Sequence, residues 1–524
     1  MRAHARIELA VLILGKLCAT EARQYTIANT GVIDLLIPLL MRGYPRLQIA
    51  TLRALSAMSY ENMEICSALA SMSHRSKSFP SIVLDLARSH DPEIRLSACL
   101  CLSNLSRMRV HAGPQKEIQT VAVPALVKLM HSGDMDQLQV IQALGYLCHE
   151  DLDIQAAAKN AGAITELTRI LAEIEGQENA DFVDQERNVK VAKIVFLTLG
   201  TIVSTDEECR KKAVDSNVLW HLVKAMGHRD AGVRAAACLC ARYIVRSVSI
   251  CRTHLPESGI LKPLLRLLSD DSEDVQVTAS ATLVNMLTEL SPMKPEALKE
   301  GVVDILLRLI DSENVTIRRN ALWSIMNILS GVDDDTKKDV MGKVKVDRVC
   351  RLAADDSEPV IQAHAVGVLR NSVNECMWGI SALFDTLGST RVLELLRQLL
   401  QSDYEPVIVH ALYIINNTSI MSQPHCDLLV HDKALMQSVV KYVSSGSTDI
   451  TIGALWCINS IAEHKAPSQE TDTDADGTGH PPEPRYVSVL NELGVQPILE
   501  RMAQDPSCGL EVRDRVKTCL DYFV

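Results

Sequence analysis

Residues 472–483 read DTDADGTGHPPE and match the calcium-loop pattern D-x-D-x-D-G-x5-E at every specified position. In such a loop alternate carboxylates converge on a hard cation and a final glutamate closes the shell. The surroundings argue against that chemistry. The eighth position is Gly479 rather than an apolar residue, and Pro481 and Pro482 would spoil the outgoing helix. The flanks APSQET and PRYVS make no paired motif, so the Pro-, Asp- and Thr-rich stretch 465–485 is expected to be a disordered acidic insertion.

His425, Cys426 and His431 cluster in sequence but fit no zinc spacing, and the chain holds no HExxH, GxSxG or GxxxxGK[ST]. Catalysis, a metal and a cofactor are therefore not expected. The fifteen cysteines sit singly inside apolar stretches without any CxxC. The pairs Cys99/Cys101 and Cys238/Cys240 point to different sides of a helix. They read as buried free thiols in a reducing compartment.

A third set of residues could do binding chemistry. Asn285, Asn327, Asn371 and Asn417 recur at near-regular spacing, with Trp323, Tyr413 and Trp456 one helical turn earlier on the same face of their segments. An asparagine amide both donates to and accepts from an extended peptide backbone, and exposed aromatics beside it make anchors. These seven residues are the expected partner-binding groove. The plainer alternative is that each asparagine bonds a nearby helix carbonyl and that the aromatics are core.

The elements that position them follow from a repeat. Ala237, Ala279 and Ala321 stand 42 residues apart, and the register extends through Ala10, Ala54, Ala98, Ala143 and Val195 on one side and Ala365, Ala411, Ala454 and Val516 on the other. A period in the low forties with helical patterning marks a helical solenoid. Residues 298–331 show its grammar. Gly301 turns the chain after a short helix, Val302–Ile310 forms a second, Asp311-Ser-Glu-Asn breaks it, and Val315–Leu329 forms a third. On that third helix the alanine and the residue six later lie about 120° apart, so the alanine faces the stack and the later residue another face. Wider gaps fall at 173–186 and 465–485, both acidic and both expected to be loops.

Composition agrees with an all-α chain: 47% of residues are apolar but only 4% aromatic. With 53 basic against 65 acidic residues and a net charge of -12, no basic block could release counterions from nucleic acid. No apolar run approaches the roughly 18 residues that span a bilayer, so no membrane partner is expected. The N-terminus mimics a secretory signal, but Glu8 interrupts its apolar stretch and Ala10 fits the repeat, so a repeat helix is expected there. It opens in mid-unit, as an incomplete first unit would.

Three helices per unit, the glycine turn and the acidic break resemble armadillo rather than two-helix HEAT repeats. The fold expected is an armadillo-repeat right-handed superhelical solenoid of about twelve units. Its divisions are N-terminal repeats over 1–210 with an acidic loop at 173–190, grooved repeats over 211–464, the insertion 465–485 and a capping repeat over 486–524. More specifically, ELSPMK at 289–294, DEECRKK at 206–212 and LNELGVQPILERMAQDP at 490–506 resemble the armadillo-repeat subunit of the GID, or CTLH, ubiquitin-ligase complex. That resemblance implies a non-catalytic, cytoplasmic and nuclear scaffold. It would tether a substrate-receptor subunit to a core of RING and LisH/CTLH-domain subunits, with the C-terminal groove holding the receptor. A catenin-like or nuclear-import adaptor is the alternative. Trp323-Ser-Ile-Met-Asn327 has the WxxxN spacing of import adaptors, but with both residues that spacing occurs only once.

Overall fold

The computed structural model describes residues 2–108, 115–132, 135–177, 182–289, 291–464, 485–505 and 508–523. The calcium-like stretch 472–483 and most of the expected insertion lie outside them. The chain divides into two units: an N-terminal one of residues 1–286 with 291–293, and a C-terminal one of 294–524 with 287–290. No gap in packing falls at 210, where the sequence suggested a division. The helix Ala231–Ile244 packs on both Phe182–Ile202 and Glu273–Met286.

Within each unit the third helices of successive repeats pack side by side. In the N-terminal unit they are Arg2–Leu17, Pro45–Ser59, Pro92–Arg107, Gln137–Leu147, Phe182–Ile202, Ala231–Ile244 and Glu273–Met286. In the C-terminal unit they are Val315–Leu329, Pro359–Val373, Glu405–Met421, Thr448–Ala462 and Leu510–Leu520. The register residue explains the stacking. Ala98, Ala237, Ala279, Ala321, Ala365, Ala411 and Ala454 are fully buried, because only a small side chain fits where neighbouring helices approach. Ala10, on the first helix, is exposed.

Local chemistry sets the ends of these helices. Gly301 takes φ 77° just before Val302–Leu309, a left-handed turn that costs a glycine nothing. At the start of the third helix the polar break supplies the cap: Asp91, Asp230, Asn314 and Ser447 each accept a hydrogen bond from a backbone N–H of the first turn. Each cap contributes about 1 kcal/mol. The first helix of a repeat then sends a polar side chain to the carbonyls left open at the far end of the third. Gln24 Nε2 donates to the Ala57 and Tyr60 carbonyls at 3.0 and 3.1 Å, and Lys294 Nζ to the Ser330 carbonyl at 2.6 Å. Lys337 reaches the Asn374 carbonyl in the same way.

One local reading of the sequence is corrected. The expected loop 173–190 is largely helix: Ala163–Glu175 runs into it, and Phe182–Ile202 begins well before 190. Acidic residues near the start of the second helix suit its dipole, and Glu186 pairs with Lys190 one turn on at 2.7 Å, so this charge run is a solvated helix face. The N-terminal unit also holds a small hairpin, unforeseen from the sequence, that pairs Ser73–His74 with Lys77–Ser78. Its turn residues Arg75 and Ser76 both have positive φ without the Asn or Gly that would announce it.

Candidate functional site

The expected groove residues do not behave alike. Asn285 belongs to the N-terminal unit, is half-buried, and donates Nδ2 to the Arg242 carbonyl at 3.1 Å. Asn371 is buried, donates to the Met326 carbonyl at 2.8 Å, and accepts from Arg370 Nε at 2.9 Å. Asn417 is also buried, and its Oδ1 accepts from Asn416 Nδ2 at 3.3 Å. Asn327 is half-buried. The stack is close enough for an asparagine to reach a carbonyl of the preceding third helix, so the amides of Asn285 and Asn371 tie repeats together. Asn104 does the same, donating to the Ser56 carbonyl at 2.8 Å.

The aromatics are placed differently. Trp323 is 39% exposed and meets the His364 ring edge-to-face at 5.2 Å. Tyr413 is half-buried, with the Arg370 guanidinium 6.0 Å from its ring centre. Trp456 is half-buried under Arg515, whose guanidinium carbon lies 3.6 Å above the ring. All three stand two residues after the register alanine, and each meets a residue on an adjacent third helix. The strip of Trp323, Tyr413 and Trp456 therefore belongs to the C-terminal unit alone.

Its other members escaped the sequence reading. His364, His410 and Arg515 each directly precede the register residue of their helix, and Arg370 follows Ala365 by five. That regular offset was the available signal. At Gly367, two after Ala365, an added Cβ would lie 2.4 Å from Met326 Sδ and 3.3 Å from His410 Nε2, so a side chain there would displace its neighbours. Arg370 Nη1 lies 3.1 Å from His410 Nδ1, which accepts when the imidazole is neutral. Burial, with the charges of Arg370 and His364 beside it, pulls the His410 pKa down to about 3, so it is neutral at physiological pH. Burial likewise lowers the pKa of Arg370 below its usual value.

Geometry of this kind positions groups for contact. Among the described residues no group of three or more His, Cys, Asp or Glu side chains could hold a metal ion, and no helix is long and apolar enough to cross a membrane.

Stacked helices with a glycine turn, a capped third helix and small residues at most crossings are the architecture of armadillo-type repeats. The armadillo/beta-catenin-like repeat family matches residues 250–288 and 291–330 directly. An engineered protein of known crystal structure superposes on 82% of this chain and 98% of its own length with a TM-score of 0.64 and 21% identity, a likeness of fold. Among natural proteins, the chain is similar to armadillo repeat-containing protein 8 of Danio rerio, 22% identical over 251 residues, which are 46% of this chain and 37% of that protein. It is also similar to GID complex subunit 5 of Schizosaccharomyces pombe (strain 972 / ATCC 24843), 27% identical over 183 residues, which are 32% of this chain and 23% of the relative. The matched regions thus span at most 37% of these relatives' own length.

Proposed function

We propose that this chain is a non-catalytic scaffold subunit of a multisubunit ubiquitin ligase of the GID/CTLH type. On this reading the C-terminal unit captures an extended segment of a substrate-receptor subunit along the strip of Trp323, Tyr413 and Trp456, and the N-terminal unit docks on the RING-bearing core. The observation that carries it is that aromatic strip, set on rigid helices in a chain similar to a protein named as a GID complex subunit. Half-exposed aromatics on a fixed scaffold suit recognition, because little side-chain freedom is lost on binding. A cytoplasmic and nuclear location belongs to the same reading.

Affinity purification of the tagged chain from cells, followed by mass spectrometry, tests it. Recovery of RING and LisH/CTLH-domain proteins is the expected outcome, and their loss of the receptor with Trp323→Ala would assign that contact to the strip. Recovery of importin-β, or of a catenin-type partner without ligase subunits, would replace this reading by the adaptor alternative.

A further inference from the structure

Several partly buried arginines of this protein are neutralised by carboxylates. Arg234 meets Asp270 through two hydrogen bonds of 2.7 Å, Arg210 meets Glu207 at 2.9 Å, and Arg397 meets Asp432 at 2.9 Å. Arg107, stacked on Tyr60 and Tyr146, meets Glu61 at 2.6 Å. Arg370 and Arg515, which lie against the aromatic strip, differ from these. Among the described residues, neither has a carboxylate within ion-pair distance. Their fixed contacts are an asparagine oxygen, an imidazole and two aromatic rings.

An arginine that is half-removed from water and left without a counter-charge carries a desolvation cost that a partner can relieve. Arg370 lies over Tyr413 and Arg515 over Trp456, and these rings stand on the neighbouring helices Glu405–Met421 and Thr448–Ala462, so the guanidinium groups bracket one patch formed by Tyr413 and Trp456. Two carboxylates act on this patch without an ion pair: Asp449 on Tyr413 and Glu289 on Arg370. Neither is in contact with the two arginines. Arg370 is also pre-oriented: Nε and one Nη1 hydrogen are engaged, which leaves Nη2 to receive a planar anion.

We propose that the patch between Arg370 and Arg515 binds an extended peptide segment in which acidic side chains flank an apolar one. The carboxylates pair with the two guanidinium groups, and the apolar residue lies on Tyr413 and Trp456. This rests on the strip being the receptor-holding surface, and it adds the chemistry of the segment that is held. Side-chain carboxylates on both flanks are specified because the two cations stand on separate helices, Pro359–Val373 and Leu510–Leu520, each over its own ring. Nucleic acid is disfavoured by the net charge of -12, which repels a phosphate backbone.

The test uses the full chain and a display library of randomised nonapeptides, with hits resynthesised as fluorescein-labelled peptides in amidated and free-acid forms. Selected sequences should carry Asp or Glu on both sides of a Leu, Ile, Phe or Tyr. The amidated and free-acid forms should bind equally, and Arg370→Gln with Arg515→Gln should weaken both by about tenfold or more. Arg515→Glu should reverse the preference at one flank toward Lys, a gain that misfolding cannot mimic. Neutral or basic selected sequences, dependence on the free acid, or unchanged affinity in the double glutamine variant would overturn the proposal. Ligase membership is not read by this experiment, so failure here and failure of the purification above are separate results.

Discussion

Arg107 in the N-terminal unit and Arg370 in the C-terminal unit both lie against tyrosine rings on third helices, yet only Arg107 meets a carboxylate. The rows around them differ in the same sense. Two residues after the register position the N-terminal unit has Leu12, Ser56, Leu100, Gly145, Leu197, Leu239 and Ala281, whereas the C-terminal unit has Trp323, Gly367, Tyr413, Trp456 and Thr518. The same stacking rule thus carries one row that is free of aromatics and another that presents three rings. The difference resides in side chains on one face of the third helices, so that face can be altered while the stacking is kept.

The largest expected effect tests whether the stacking itself is common to both units. Ala237→Leu and Ala411→Leu each insert three carbon atoms at a crossing with no free volume, and each should cost about 3 kcal/mol. Urea denaturation followed by circular dichroism measures this. Tolerance of Ala411→Leu alone would show that the C-terminal stack is loosely packed.

A pH difference should come next. The far end of the third helix is held by neutral Gln24 in one unit and by Lys294 in the other. Burial lowers the Lys294 pKa from its usual 10.5 to about 8, so between these values the unfolded chain binds the proton that the folded chain has lost. Stability should therefore rise as the pH climbs from about 8 to about 10, by on the order of 2 kcal/mol. Lys294→Met should flatten that rise in denaturation curves recorded across this range. An identical rise in the variant would assign it to another group.

The arginines give a smaller contrast of opposite kind. Arg107→Ala loses two ring contacts and an ion pair and should cost about 1–2 kcal/mol. Arg370→Ala should cost less than about 1 kcal/mol, because removing a desolvated cation offsets the lost hydrogen bonds. Equal costs in the same denaturation assay would mean that Arg370 is as structural as Arg107. Smallest is Trp323→Ala, expected to lower stability by under about 1 kcal/mol because the ring is well exposed. A large loss of melting temperature would make Trp323 core and remove it from the strip.

The sequence made the repeat legible because a small residue, usually alanine, sits at most helix crossings, and the third helix over Val315–Leu329 was read to the residue. It also singled out Trp323, Tyr413 and Trp456. Less legible was what lies against them: Arg515 is 59 residues from Trp456, and their meeting depends on the offset between stacked helices. The asparagines illustrate the other limit. Their spacing marks a face of the helix, but whether Asn371 points its amide to a partner or to the Met326 carbonyl depends on an interhelix distance that no single helix encodes. At 173–190 a run of charges was taken for a loop, although acidic residues are as much at home on a solvated helix.

The buried thiols give this scaffold a built-in gauge of its own breathing. Every cysteine except Cys508 is buried, and they are distributed from Cys18 to Cys519 along both units. Burial pushes the thiols of Cys99 and Cys240 up to about 12, so in the closed stack they are protonated and unreactive toward alkylating reagents or oxidants. Only transient separation of neighbouring helices exposes them, so the alkylation rate at each cysteine measures the local opening free energy of its own repeat. The native chain thus carries, without any label, a record of which repeats of each unit come apart first.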